Sequence, residues 1–183
     1  MFDNENPNIT RDVPEGDGGN GSSYKTYWPT ESKTIVRWNT SDHLGADIAP
    51  LVDRVPGDEV YAYMDGYVSM VGTPTTNSKE GYTVRIHHVN PLNNGYARIR
   101  TQYMHLKSHP LVKAGDFVSG GTVIGYMGNT GNVYPVPSTS DPHAGTHLHF
   151  EVRGGTVSQF PLGGSSSYST GTVLMAKDYC DLT

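Results

Sequence analysis

The sequence has little cysteine, no long apolar run and no excess of basic charge. A single thiol, Cys180, stands among 183 residues, which excludes an internal disulfide and any cysteine-built zinc site; the thiol itself reads as incidental. No apolar run approaches the ~18 residues that a membrane-spanning helix needs, so no membrane span is expected. Lys and Arg number 13 against 18 Asp and Glu, a formal net charge of −5. That balance argues against a nucleic-acid partner, which would favour a basic stripe, and it supplies no steering toward an anionic polymer. The opening residues, MFDNENPNIT, have neither a basic nor an apolar region, so no signal peptide is visible. No long segment carries the 3.6-residue apolar period of an amphipathic helix.

What the sequence does have is glycine, turns and short alternating runs. Residues 1–24, rich in Asn, Gly, Asp and Pro, are expected to form a flexible lead-in, followed by a single domain over 25–183. In EVYAYMDGYVSMV (59–71) two alternating runs flank Asp65-Gly66, the signature of a tight hairpin turn with positive φ at both turn positions. YTVRIHHV (82–89), ARIRTQYMHL (97–106) and GTVIGYMG (121–128) are further strand candidates, and Gly115-Asp116 and Gly120-Gly121 mark turns. The pattern predicts a mainly β fold: antiparallel sheets in a barrel- or sandwich-like arrangement, with long loops and little helix. The Pro/Ser/Gly-rich stretch 132–146 forms a loop just before His147 and His149, and residues 154–172 are Gly/Ser-rich and need not be regular.

Chemistry concentrates in the histidines. HLHFEV (147–152) alternates strictly, so His147 and His149 share one strand face and Leu148 and Phe150 the other. Two imidazoles so placed could be two ligands of one metal, a ligand beside a catalytic base, or plain surface histidines. His43 precedes Asp47 by four residues in SDHLGADIAP. Gly45 argues against a helix there, and in an extended segment positions i and i+4 share a face. Zinc accepts imidazole nitrogen and carboxylate oxygen, and a catalytic zinc site usually has three protein ligands with one position left for water. His43, Asp47 and one histidine of the HLH pair would make such a set.

These segments, taken in order, resemble the lysostaphin-type (LytM) peptidoglycan endopeptidases. HLGAD at 43–47, EVYAYMDGYVSMVG, YMHL at 103–106, VKAGDFVSGGTVIGYMGNTG at 112–131 and HLHFEV follow the family's sequence of elements from about Trp28 to Phe160. The resemblance implies one zinc ion per chain held by His43, Asp47 and His149, with catalytic roles for His105 and His147. It implies a peptidoglycan peptide as substrate, and an extracellular, cell-wall or periplasmic setting, with a phage origin also open. The chain departs from the family in the 132–146 loop, which bears on the shape of the groove rather than on the chemistry.

The remaining candidates divide between functional and structural roles. Glu151 shares the parity of His147 and His149, and could support a metal ligand or merely pair with an arginine. Tyr103 shares the parity of His105, and could face the reacting carbonyl or pack inside the sheet. His87 and His88 should pack near a strand end, His109 should lie at the surface, and His143 is a candidate groove residue. Against the enzyme stand a catalytically silent wall-binding or activator module, which should lack one of the five residues, and a zinc-stapled virion module, which should show a closed set of four ligands.

Overall fold

Alternating runs of β-branched and aromatic residues become strands wherever turns let them pair. The computed structural model describes residues 8–9, 25–76, 78–91, 95–163 and 171–174. In chain order the strands are β1 (Asn8–Ile9), β2 (Thr26–Tyr27), β3 (Ile35–Arg37), β4 (Ala46–Ile48), β5 (Glu59–Tyr61), β6 (Gly66–Gly72), β7 (Tyr82–Val89), β8 (Arg98–Leu106), β9 (Phe117–Val118), β10 (Val123–Tyr126), β11 (Leu148–Gly155) and β12 (Thr172–Leu174). All pairings are antiparallel, and no helix occurs among the described residues. Apart from β1, the expected lead-in at 1–24 lies outside the described residues, as does Cys180.

The main sheet runs β3-β4-β11-β8-β7-β6-β9, with β12 paired to β11 farther along the edge that β4 occupies. It is open rather than closed into a barrel, and β5 and β10 form a separate two-stranded ribbon. One core cluster joins the two: Val84, Ile86, Ile99, Tyr103, Phe150 and Val152 from the sheet meet Val60 and Ile124 from the ribbon. This inner face follows the alternation of β7, β8 and β11. The opposite face carries Arg85 and His87 on β7, Arg100 and Gln102 on β8, and His149, Glu151 and Arg153 on β11.

The hairpin expected over 59–71 does not form. β5 pairs with β10, and β6 pairs with β7 and β9. Neither Asp65 nor Gly66 adopts the positive φ a tight turn would need. Instead the chain crosses from ribbon to sheet here. The Asp65 carboxylate accepts the Gly120 N–H at 2.8 Å, and the Asp65 carbonyl accepts from His88 Nδ1 at 2.9 Å. Gly66 is required by close approach: a Cβ there would lie 2.5 Å from the His87 carbonyl oxygen. The turns at Gly115 and Gly121 do form, with φ of +94° and +81°.

Candidate metal and catalytic site

The β4–β11 pairing builds the centre of the site. Asp47 on β4 lies directly opposite His149 on β11, and Asp47 Oδ1 is 2.8 Å from His149 Nδ1. His43 comes from the turn before β4, where Thr40 and His43 form an isolated bridge, and its Nε2 reaches the same oxygen at 3.0 Å. Gly45 makes the link possible. Its φ is +117°, and a Cβ would stand 2.5 Å from the Phe150 carbonyl oxygen and 3.2 Å from His149 Nε2.

The donor atoms of His43, Asp47 and His149 all fall within 4.8 Å of one another. Ligands about 2.1 Å from a tetrahedral zinc stand about 3.4 Å apart, so small side-chain rotations would open this cluster to the right size. Each ring is oriented for the task. His43 Nδ1 donates to the Trp38 carbonyl at 3.3 Å, which leaves Nε2 as the donor atom. His149 Nε2 lies 3.1 Å from Glu151 Oε1, which leaves Nδ1 facing Asp47. Two nitrogens and a carboxylate oxygen form a set that zinc accepts.

His105 and His147 stand beside this cluster, their ring centroids 4.8 Å apart. His147 precedes β11, bridges to Gly128, and donates Nδ1–H to the Gly145 carbonyl at 2.8 Å; its Nε2 lies 3.5 Å from Asp47 Oδ1. His105 donates Nδ1–H to the Thr130 carbonyl at 2.8 Å. A backbone carbonyl can only accept, so in both neutral rings the proton sits on Nδ1 and Nε2 keeps a free lone pair.

His105 is placed by a bulge. Tyr82 pairs with Leu106 and Val84 with Tyr103, so Met104 and His105 together oppose Thr83. His105 takes φ 63°, a left-handed conformation uncommon outside glycine. Its N–H donates to the Glu80 carbonyl at 2.9 Å. The bulge separates His105 from Tyr103: Tyr103 is fully buried and its hydroxyl accepts the Tyr63 N–H at 2.8 Å. Tyr103 is therefore a core residue, and its shared parity with His105 was misleading.

Burial sets the protonation of this group, modified by its neighbours. It pushes His105 down to about 4, with His147 acting in the same direction. It lowers His147 too, against the pull of Asp47. For His149 burial is outweighed by the Asp47 and Glu151 carboxylates, which raise it to about 9. Burial alone would raise Asp47, but the hydrogen bond from His149 and the neighbouring His147, His149 and His43 together outweigh it and hold the carboxyl below its usual range.

The other histidines stand apart. His87 and His88 are buried in β7, His109 is exposed beside Pro110, and His143 is exposed in the turn before His147. The 132–146 loop is anchored at its ends, where Val133 and Ala144 are buried and Asn129 donates to the Pro142 and Ala144 carbonyls at 3.0 Å. Its middle is open, with Tyr134 88% exposed, and Asp141 pairs with Arg54 of the 49–58 loop. Sequence reasoning did not find the carbonyls of Trp38, Thr130 and Gly145, because any residue supplies a carbonyl.

Comparisons with known proteins converge on one family. Residues 41–161, which enclose all five site residues, match the model of Peptidase family M23. The peptidoglycan DD-endopeptidase ShyC of Vibrio cholerae serotype O1 is 36% identical over 91 residues, covering 46% of this chain and 18% of that protein. Lysostaphin from Staphylococcus simulans superposes with a TM-score of 0.51 at 26% identity, over 79% of this chain and 48% of that one. A putative peptidase M23 from Pseudomonas aeruginosa gives 0.50 at 24%, over 69% of this chain and 44% of that one. The chain thus spans less than half the length of each of these relatives.

Proposed function

Because the chain belongs to peptidase family M23, we propose that it is a zinc-dependent endopeptidase that hydrolyses an amide bond in the peptide part of bacterial peptidoglycan. The observation that carries this reading is the convergence of three donor atoms with two neutral imidazoles beside them. The peptidoglycan named for ShyC supports the substrate class.

Amide hydrolysis needs a better nucleophile than bulk water and a stabilised oxyanion. Zinc held by His43 Nε2, Asp47 Oδ1 and His149 Nδ1 would polarise the carbonyl and bring the pKa of a bound water to about 7. His105 and His147 supply the proton chemistry. Their Nδ1–H groups are committed to Thr130 and Gly145, so each turns an Nε2 lone pair to the site. One can take the proton of the attacking water, and once protonated the same Nε2–H can donate to the departing amine. The second ring, through its Nε2 lone pair, accepts from the attacking water and orients it. Such assistance is worth roughly 10²–10⁴-fold in rate.

A zinc ion acting only as a staple is the poorer reading, because a structural site closes with four protein ligands. The substrate places the working protein where peptidoglycan is, outside the cell or in the wall or periplasm. The test is turnover of purified cell walls before and after chelation and zinc return. Activity should vanish and come back; turnover untouched by complete metal removal refutes the proposal.

A further inference from the structure

Four imidazoles surround the candidate metal position, and three are oriented alike. His43, His105 and His147 each donate Nδ1–H to a backbone carbonyl, of Trp38, Thr130 and Gly145, and so offer Nε2. His149 is turned the other way. Its Nε2 lies 3.1 Å from Glu151 Oε1, and its Nδ1 points at Asp47. We propose that Glu151, braced by Arg153, is a positioning residue that fixes His149 as an Nδ1 metal ligand.

The strand builds this arrangement. His149, Glu151 and Arg153 occupy alternate positions of β11 and therefore one face. Arg153 Nε donates to Glu151 Oε2 at 2.7 Å, so each carboxylate oxygen has its own cationic or polar donor. Glu151 is only 4% exposed. A carboxylate so buried is expensive unless paired, and a salt bridge with Arg153 alone would satisfy only one oxygen. The other is spent on His149. An ionised carboxylate can only accept, so Nε2 carries the hydrogen and the lone pair of the neutral ring is left on Nδ1. Nδ1 is also the nitrogen that the β4–β11 register brings to Asp47. Without Glu151 the ring could present either nitrogen.

This inference rests on the zinc reading above, and the experiment separates the two. Zinc affinity of the full chain is measured by competition with a chromogenic chelator, for wild type, Glu151→Gln and Glu151→Ala. In parallel, ¹⁵N imidazole spectra of the zinc-loaded wild type report which His149 nitrogen binds metal. The expected result is Nδ1 on zinc with hydrogen on Nε2, and affinity weakened about 10–100-fold in the alanine variant. Glutamine keeps an oxygen that can accept from Nε2–H, so it should lose less than alanine. A merely structural role would lower the metal-free melting temperature and leave affinity and tautomer unchanged. Nε2 on zinc in the wild type, or both variants binding within about threefold of wild type, would overturn the proposal. The spectrum needs no variant, so a misfolded alanine substitution does not protect it. A wild type that takes up no stoichiometric zinc overturns the parent reading, and this one with it.

Discussion

Asp47 and His149 stand directly opposite each other across the β4–β11 pair, 102 residues apart in sequence and 2.8 Å apart at Oδ1 and Nδ1. Register alone makes this meeting. A one-residue slip of β4 would turn the Asp47 side chain to the core face. The site is thus as stable as the pairing of a three-residue strand with its neighbour, and that strand begins just after Gly45.

Gly45→Ala should disturb the site without replacing a ligand. A methyl at 2.5 Å from the Phe150 carbonyl oxygen must push β4 from β11, at a φ of +117° that disfavours any side chain. Denaturant unfolding of the metal-free protein should show a loss of about 1–3 kcal/mol, and zinc affinity should fall with it. Wild-type values for both would mean that β4 does not depend on this approach.

His147 and His149 lie two residues apart and should fail in different ways. His149→Ala removes a ligand, so zinc should be lost or much weakened, together with the stability that ligation adds. His43→Ala and Asp47→Ala should follow it. His147→Ala should retain zinc while turnover on cell walls drops roughly 10²-fold or more. Metal analysis of the purified variants decides; zinc lost from His147→Ala and kept by His149→Ala would reverse the two roles.

His105 offers an inverted stability order. In a regular strand glycine is less stable than alanine, but at φ 63° alanine carries a Cβ penalty that glycine escapes. His105→Gly should therefore be more stable to denaturant than His105→Ala, by about 1 kcal/mol, with turnover of both down roughly 10²-fold or more. The ordinary order would show that the bulge relaxes when the imidazole is removed.

How far the sequence reached is visible in these same residues. β7, β11 and β8 as far as Tyr103 alternate because one face of each meets the core, so their positions and the sharing of a face by His147 and His149 could be read directly. Asp65-Gly66 misled because its dipeptide chemistry suits a hairpin, while the competing pull was tertiary: β5 has a better partner in β10. Nothing in ARIRTQYMHL marks a bulge, since its cause lies in Glu80 and Thr130, which grip His105 from other loops. Glu151 was visible as a matter of parity, but its partner among the arginines and histidines was settled only by distance.

His88 should make the metal-free fold sensitive to mild acid. It is fully buried, with Nδ1 on the Asp65 carbonyl and Nε2 at 2.7 Å from Thr101 Oγ1, and burial pushes it down to about 4 against an ordinary 6.5. The unfolded chain therefore takes up the proton first. Stability is complete above pH 6.5 and falls as pH drops toward 4, by about 3 kcal/mol from this ring alone. Denaturant unfolding across that window should show His88→Asn less stable than wild type near neutrality but with a shallower decline. Parallel curves would mean that His88 does not titrate with unfolding.

The bulge in β8 acts as a shift of phase. Before it, odd-numbered residues face the core, as Ile99, Thr101 and Tyr103 do; after it, an even-numbered one does, Leu106. One strand can thus press a tyrosine into the interior and hold a histidine over the opposite face, although the two are spaced as if they pointed the same way. A regular strand that kept all its residues would bring the histidine back into step with the buried side and turn Leu106 out of it. The sheet would gain order, and the site would lose the imidazole that stands beside His147.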